Sequence, residues 1–273
     1  MKASCTMAAA AALLTLSALP AAAETLRLGY DVYVGGISLG RMTLETELAD
    51  DRYHVAVGAR ANDLLDRLVH WSYTAEANGA LSGPAGVAPD RFTSLRTLRN
   101  RKWEAVLDYS GDTVTHHQTP PQSEEDENAV PPELRPGTVD LLSASVAIAL
   151  SAEASGGSCE ARVPVFDGRR RYDVLAEPGK NRQLKKNSYN AYEGEAIGCR
   201  IEIDPVAGFR QARRGNDDFW TIPRDGSRRG FDLWLGRPQE GGPLVPVRLE
   251  ARELFYADII GHLATIETVD GTP

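Results

Sequence analysis

One segment of this chain, residues 138–154, has the periodicity of a helix in a sequence that is otherwise patterned for β-strands. Thr138 or Asp140 can cap its first N–H groups, and Gly156–Gly157 lets the chain leave in the left-handed conformation. Its apolar side chains recur at helical spacing: Leu142, Val146, Ala149 and Leu150, with Leu141 and Ile148 widening the stripe. We therefore predict one main helix over 138–154, against which the remaining chain packs as sheet.

Directly after this helix, from Cys159 to Ala176, the pattern changes to the two-residue alternation of strands. Asp167–Gly168 separates two alternating runs, which is the strongest short-range signal of a hairpin with a two-residue turn. Such a turn sets a register in which Val163 lies opposite Tyr172 and Arg162 lies opposite Asp173.

The rest of the chain after residue 24 alternates in the same way and predicts ten to twelve antiparallel strands in one curved sheet. Two segments depart from this pattern. Residues 62–69 predict a short helix with Leu64, Leu65 and Leu68 facing inward. Residues 116–137 are polar, acidic and rich in proline, and they predict a mobile loop or a crossover into the main helix. We expect a single β-rich domain over 24–273.

The first 23 residues resemble a secretory signal peptide. Lys2 precedes an apolar run that ends near Leu19, and Ala21–Ala23 forms an A-x-A cleavage site, which predicts cleavage after Ala23. The alternative, a membrane anchor, is disfavoured because the apolar run is shorter than the roughly 20 residues that span a bilayer. These residues predict export to the periplasm and a soluble mature protein with no transmembrane segment.

Two cysteines, Cys159 and Cys199, follow the predicted cleavage site. In an exported protein an even pair indicates a disulfide. Both cysteines share the apolar phase of their strands, so their side chains can meet inside the fold. A catalytic thiol or half of a metal site is the alternative, but neither cysteine has suitable neighbours in the sequence.

The net charge is −8, although arginines cluster at 169–171, 213–214 and 228–229. We assign these clusters to solvated faces of hairpins. An acidic chain without aromatic stacking motifs argues against a nucleic-acid partner.

The residues 36–40 match the G-x-S-x-G nucleophile pattern, with Ser38 at its centre. A nucleophile elbow needs a sharp strand-to-helix turn, whereas this motif lies between two alternating strands. We therefore interpret its glycines as turn residues, which makes a hydrolase the least favoured hypothesis.

His116 and His117 precede an acidic run and could form a metal site with it. The acidic residues are Glu124, Glu125, Asp126 and Glu127. Adjacent side chains of an extended segment diverge, so we predict no metal site here. His54, His70 and His262 are isolated on strand patterns. The sequence thus predicts no catalytic residue, no metal ligand and no cofactor.

Several motifs together resemble the exported bacterial family known as domain of unknown function 3108. They are Y-x-V-x-x-G-x-x-x-G from Tyr30 to Gly40, Asp140–Ser143, Phe166–Asp173, G-x-x-x-x-C-R-I from Gly194 to Ile201, and Pro246–Leu249. The resemblance implies a periplasmic setting and a strongly curved antiparallel sheet, or half-barrel, that cradles a helix. This shape is similar to the lipoprotein-carrier folds of the Gram-negative envelope. The resemblance carries over no active site.

We therefore expect a non-enzymatic protein of the cell envelope whose curved sheet offers a cleft to a lipid or another apolar or amphipathic ligand. The alternative is an envelope scaffold or assembly factor that binds partner proteins through exposed sheet edges or through the acidic loop.

Overall fold

The computed structural model describes residues 25–49, 51–82, 86–120, 129–212, 219–254 and 257–269. The predicted cleavage site after Ala23, the acidic run 124–127 and the arginines at 213–214 lie outside these ranges.

The described residues form sixteen strands and two α-helices, more strands than the ten to twelve predicted. The helices are α1 (Asp63–Val69) and α2 (Leu141–Ala154). The strands are β1 (Thr25–Val34), β2 (Ile37–Leu48), β3 (Arg52–Ala61), β4 (Trp71–Leu81), β5 (Val87–Leu98), β6 (Arg101–Ser110), β7 (Thr113–Thr119), β8 (Ala161–Phe166), β9 (Arg171–Pro178), β10 (Arg182–Leu184), β11 (Gly194–Ala207), β12 (Arg210–Gln211), β13 (Thr221–Ile222), β14 (Arg229–Gly236), β15 (Val245–Leu254) and β16 (Ala257–Val269).

One curved antiparallel sheet contains all of these strands except β12 and β13, which pair with each other. Its order is β7-β6-β5-β4-β3-β2-β1-β16-β15-β14-β11-β9-β8, and β10 pairs with β11 beside this path. The first seven strands form a meander in chain order. The other half depends on pairing between distant segments, because β16 returns to lie beside β1. The sheet is not closed, and the prediction of a curved antiparallel sheet around one main helix is confirmed.

Alternation decides which side chains fill the concave side of the sheet. On β1, Leu26, Leu28 and Tyr30 are buried, and on β3 Tyr53 and Val55 are buried. The core has two parts, one against each half of the sheet, and α2 contributes to both. The helix therefore forms the centre around which the sheet curves.

Asp140, not Thr138, caps α2. Its Oδ1 accepts a hydrogen bond of 2.9 Å from the N–H of Ser143, and its extended backbone ends the preceding segment. The helix ends at Ala154, after which Gly156 and Gly157 have φ of 68° and 101°. The start and end of the predicted helix are thus set by the residues that the sequence indicated.

The hairpin of β8 and β9 turns at Asp167–Gly168, but its register differs from the prediction by two residues. Val163 lies opposite Val174 rather than Tyr172. The loop has four residues instead of two, because the Asp167 carboxylate accepts hydrogen bonds from the backbone N–H groups of Arg169 and Arg170. A shift of two residues leaves every side chain on its predicted face.

The predicted pair of Arg162 and Asp173 therefore forms diagonally, not directly across the hairpin. Arg162 Nη2 lies 2.6 Å from Asp173 Oδ2 and 3.5 Å from Asp204 Oδ2. Asp173 and Asp204 are direct cross-strand neighbours. Arg162 thus lies between two carboxylates that would otherwise repel each other. Arg171 pairs with Asp173 at 2.5 Å and Arg228 with Asp204 at 3.3 Å, which supplies further positive charge.

The short helix predicted over 62–69 is present as α1, but the prediction that its leucines face inward is wrong for Leu64 and Leu68, while Leu65 is half-buried. No residue of α1 is buried, and Leu64 and Leu68 are each 71% exposed. The reason is its position, since α1 connects the neighbouring strands β3 and β4 beyond the end of the sheet, with no second layer over it.

The predicted loop 116–137 is shorter than expected, because residues up to Thr119 belong to edge strand β7. His116 faces inward from this strand and packs edge-to-face on Phe166, with ring centroids 5.3 Å apart. A Cβ atom at Gly168 would lie 3.1 Å from Ala105 Cβ and 3.3 Å from His116 Nε2. The β8–β9 hairpin thus packs against β6 and β7, so that the two ends of the open sheet meet.

Candidate ligand-binding cavity

An open cavity of about 480 Å³ lies between α2 and the concave face of the sheet. Its walls come from elements that are distant in the chain. From β2 and β3 it is lined by Leu44, Thr46, Leu48 and Val55, and from β9, β11 and β14 by Val174, Ile201, Ile203, Phe231, Leu233 and Leu235. Phe219, Trp220 and the segment 241–246 complete it. The described lining is therefore mainly aliphatic and aromatic.

The middle of the helix wall of the cavity is a line of residues spaced four apart: Leu141, Ser145, Ala149 and Glu153. Residues at this spacing lie above one another on one face of a helix. On either side of this line the wall also contains Ala144, Val146, Ile148 and Leu150. The small side chains of Ser145 and Ala149 leave space in the middle of the line. Leu141, Ser145 and Glu153 are also solvent-exposed, so the cavity opens along this side of α2.

The opposite wall is built by residues of one face of β11 and β14. Ile201 pairs with Phe231 and Cys199 pairs with Leu233 in the antiparallel register, which places alternate side chains of both strands in the cavity or the core. Trp220 forms part of the wall and is held by Arg170, whose guanidinium carbon lies 4.5 Å from the centroid of the indole ring. This wall is therefore apolar, and the guanidinium of Arg170 packs on the indole ring of Trp220.

Two charged side chains at the rim neutralise each other. Arg237 Nη2 donates hydrogen bonds to both carboxylate oxygens of Glu153, at 2.6 and 2.7 Å. Arg237 Nη1 also donates to the carbonyl oxygen of Gly242. This ion pair ties the end of α2 to the segment between β14 and β15. The rim consequently presents hydrogen-bonding groups without a net charge.

A buried polar network lies beside the start of α2. Ser143 Oγ donates to Asp140 Oδ2 at 2.5 Å, and Tyr53 Oη lies 2.6 Å from Ser143 Oγ. Burial raises the pKa of Asp140 to about 6, against the lowering effect of its hydrogen bonds with Ser143, and burial also raises the pKa of Tyr53. Asp140 and Ser143 are fully buried and Tyr53 is 2% exposed. Because these groups satisfy one another away from solvent, the network fixes the start of α2 against β3.

Cys159 and Cys199 are joined in a disulfide, as the sequence predicted, with Cα atoms 5.4 Å apart. Strand β9 lies between β8 and β11 but ends at Pro178, the residue opposite Cys199. The segment before β8 can therefore pass over the end of β9 and reach β11. The bridge lies next to the second part of the core, which contains Leu235 and Ile201.

The structure gives the G-x-S-x-G motif a structural role. Gly36 has φ of 83° in the turn between β1 and β2. Gly40 is not a turn residue, contrary to our interpretation, because it lies within β2, where a Cβ atom would be 2.4 Å from the carbonyl oxygen of Arg60. Ser38 is the second residue of β2, and its carbonyl oxygen accepts a hydrogen bond from Asn62 Nδ2. Each glycine of the motif is thus explained by backbone geometry.

His116 and His117 lie on opposite faces of β7. Burial lowers the pKa of His116, and the charge of Arg135 adds to this effect. Within the described ranges, no three His, Cys, Asp or Glu side chains are placed to hold a metal ion together. The acidic run that could have completed such a site is outside those ranges.

The other three histidines lie apart from the cavity. His54 pairs with Glu76 at 2.9 Å, and His70 ends α1 near Asp66 at 3.6 Å. His262 Nδ1 lies 3.1 Å from Arg248 Nη1, and burial lowers the pKa of His262.

Sequence reasoning found the helix and its cap but missed most of the cavity. Neither Leu233 nor Phe231 is distinguishable in the sequence from an ordinary core residue. The sequence signal for the cavity is the pair Ser145 and Ala149, because small side chains on an otherwise apolar helix leave space that a ligand can fill.

The fold and the cavity define a class of β-rich proteins in which a curved, unclosed sheet surrounds a helix and an apolar cavity. The sequence model of the family described as "Protein of unknown function (DUF3108)" matches residues 29–255, and the chain belongs to this family. A search of curated protein sequences finds no significant match.

Among solved structures, the chain is similar to the crystal structure of a beta-barrel-like protein of domain of unknown function DUF1849 from Brucella abortus. The TM-score is 0.54 and the sequence identity is 13%, over 91% of this chain and 99% of that chain. At this identity the similarity shows the fold alone. In the part of the chain that the structure describes, the helices are too short or too polar to cross a membrane.

Proposed function

We propose that this chain is an exported periplasmic protein that binds an apolar or amphipathic ligand, such as a lipid or an acylated peptide, in the cavity beside α2. The observation that carries the proposal is the open cavity of about 480 Å³ with an aliphatic and aromatic lining. Its volume falls within the range of roughly 300–1,000 Å³ that is usual for small-molecule sites.

The chemistry of the lining favours an acyl chain over a polar metabolite. Each methylene group that leaves water for such a surface contributes about 0.8 kcal/mol. The described polar side chains of the lining are few: Thr46, Ser145, Glu153 and Arg237. The last two neutralise each other at the rim, where the polar end of an amphipathic ligand would remain in contact with water.

The compartment is supported by two independent features. The first residues carry the pattern of a signal peptide, and Cys159 and Cys199 form a disulfide. Disulfides persist in oxidising compartments such as the bacterial periplasm.

Binding is tested with the exported protein by native mass spectrometry and by titration with a fluorescent fatty acid that palmitate displaces. We expect a ligand-bound mass and saturable fluorescence. A149W places an indole in the middle of the helix wall and should weaken binding at least tenfold. The matched control A154W adds the same group at an exposed position of α2 outside the cavity and should bind like the wild type.

Thermal unfolding of both variants accompanies the titration, and A149L replaces A149W if the larger side chain prevents folding. Binding that is equal in the wild type, A149W and A149L, or no better than that of an unrelated protein, would overturn the proposal. Crosslinking in intact cells that captures one envelope protein, with no lipid in the purified sample, would favour the scaffold function instead.

A further inference from the structure

Three large aliphatic side chains are exposed at the end of the sheet where β1 meets β2 and β3 meets β4. Ile37 is 68% exposed, and Leu64 and Leu68 are each 71% exposed. Single exposed leucines are ordinary on protein surfaces. These three belong to two segments that the structure holds together, which makes them one surface.

Asn62 joins the two segments. Its N–H donates to the carbonyl oxygen of Leu39 at 2.9 Å, and its Nδ2 donates to the carbonyl oxygen of Ser38. The Oδ1 atom of the same side chain caps α1 by accepting from the N–H of Leu65. The start of α1 is therefore fixed beside Ile37.

The other end of α1 is fixed to the turn between β5 and β6. The N–H of Arg99 donates to the carbonyl oxygens of Val69 and His70, at 3.1 and 3.0 Å. His70 and Arg99 have φ of 44° and 56°, and among the described residues they are the two non-glycine residues with positive φ. Such conformations are unfavourable and persist where the surrounding structure holds them. An exposed helix without a buried residue is thus held in one orientation at both ends.

The charge around these aliphatic side chains is opposite to that of the whole protein. Arg67, Arg99, Arg101 and Lys102 are exposed, and none forms an ion pair with a carboxylate among the described residues. Asp63 and Asp66 are the acidic residues of α1. Asp258 also lies near Ile37, because its carbonyl oxygen accepts a hydrogen bond from the N–H of Gly35 in the β1–β2 turn. Four cations against these three carboxylates give a local positive charge on a chain whose net charge is −8.

We infer that this surface, the α1 surface, docks the protein on an anionic phospholipid bilayer. Its residues are Ile37, Leu64, Leu68, Arg67, Arg99, Arg101 and Lys102. The aliphatic side chains enter the interface, and the cations bind lipid phosphates, as in other basic amphipathic surfaces.

Two alternatives fit the surface less well. A second copy in a two-fold contact would place the same cations opposite one another. A stable protein interface needs about 20–30 residues on each side, far more than this surface contains. A bilayer requires only insertion of a few apolar side chains and a uniform negative charge.

The inference does not depend on the cavity. The cavity-lining residues of β2, from Leu44 to Leu48, lie toward the β2–β3 turn, whereas α1 follows the other end of β3. The A149W variant should therefore bind membranes like the wild type, which separates docking from ligand uptake.

The test is co-sedimentation of the exported protein with vesicles of phosphatidylglycerol and phosphatidylcholine, compared with vesicles of phosphatidylcholine alone. We expect binding to the anionic vesicles that weakens as salt is raised. L64S/L68S should reduce the partition coefficient at least tenfold, and R99E/R101E should reduce it by a similar factor. The control V206S changes a 48% exposed valine on β11 and should have no effect.

Equal binding to both kinds of vesicle would overturn the inference, as would wild-type binding by L64S/L68S with an unchanged circular dichroism spectrum. Dimerisation in solution that L64S/L68S abolishes, without vesicle binding, would assign the surface to a second copy. Capture of one acidic protein by the wild type but not by L64S/L68S, again without vesicle binding, would assign the surface to a protein partner.

Discussion

The two helices of this protein begin with the same local device and end in different environments. Asn62 caps α1 and Asp140 caps α2, each by accepting from a backbone N–H three residues later at 2.9 Å. No residue of α1 is buried, whereas six residues of α2 are. The comparison shows that capping and periodicity make a helix, but the element that lies over it determines whether its apolar face is a core, a cavity wall or an exposed surface.

The largest expected effect concerns the disulfide that follows α2 and has no counterpart after α1. C159A/C199A removes a bridge across 40 residues and should lower the free energy of unfolding by roughly 3–4 kcal/mol on the chain-entropy account. Urea unfolding of the oxidised wild type and the variant measures the loss. Uptake of two alkyl groups by the unreduced, denatured wild type would show that the bridge does not form in the cell.

The two caps should respond to pH differently, because Asp140 titrates and the amide side chain of Asn62 does not. Burial raises the pKa of Asp140 in the folded protein to about 6 from 3.8, so its contribution to stability is complete below pH 3.8 and is lost as pH rises through about 6. This difference corresponds to about 3 kcal/mol. In D140N, which keeps an acceptor oxygen, that loss should disappear. Urea unfolding of both proteins between pH 4 and pH 7 isolates the effect, and parallel curves would contradict it.

The two helices should also differ in the loss of stability that follows truncation of an apolar side chain. I148A removes part of a buried side chain of α2 and should cost about 2–3 kcal/mol, toward the lower end for such changes because one side of Ile148 already faces the cavity. L68A removes an exposed side chain and should change stability by less than about 0.5 kcal/mol. Equal losses in chemical denaturation would place Leu68 in a core.

A smaller loss than that of I148A is expected at the cap of α1. N62A removes the capping bond with Leu65 and the hydrogen bond from Nδ2 to the carbonyl oxygen of Ser38, and it should lower the stability by about 1–2 kcal/mol. Hydrogen exchange should locate the loss in residues 63–70. The control N100A changes an exposed asparagine of the β5–β6 turn and should leave the exchange of α1 unchanged.

The features that the sequence alone determined are those that depend on nearby residues. The cap at Asp140, the helix that ends before Gly156–Gly157, and the alternation that buries Leu26 and Leu28 all follow from patterns within a few positions. The pairing of Cys159 with Cys199 also followed from the sequence, because two cysteines on apolar phases follow the predicted cleavage site. Local sterics and hydrogen bonding set each of these.

Tertiary structure alone decided the features that depend on distant segments. The side chain of Asp167 lengthened the turn and moved the register of β8 and β9 by two residues. The exposure of Leu64 and Leu68 resulted from the lack of a covering layer. The cavity arose because Ser145 and Ala149 line the same space as Ile201 of β11 and Phe231 of β14, which are more than 50 residues away in the chain, and these side chains do not fill the space. The volume of a cavity depends on how side chains from several elements pack together. Because these elements are distant in the sequence, the cavity can be recognised only in the folded structure.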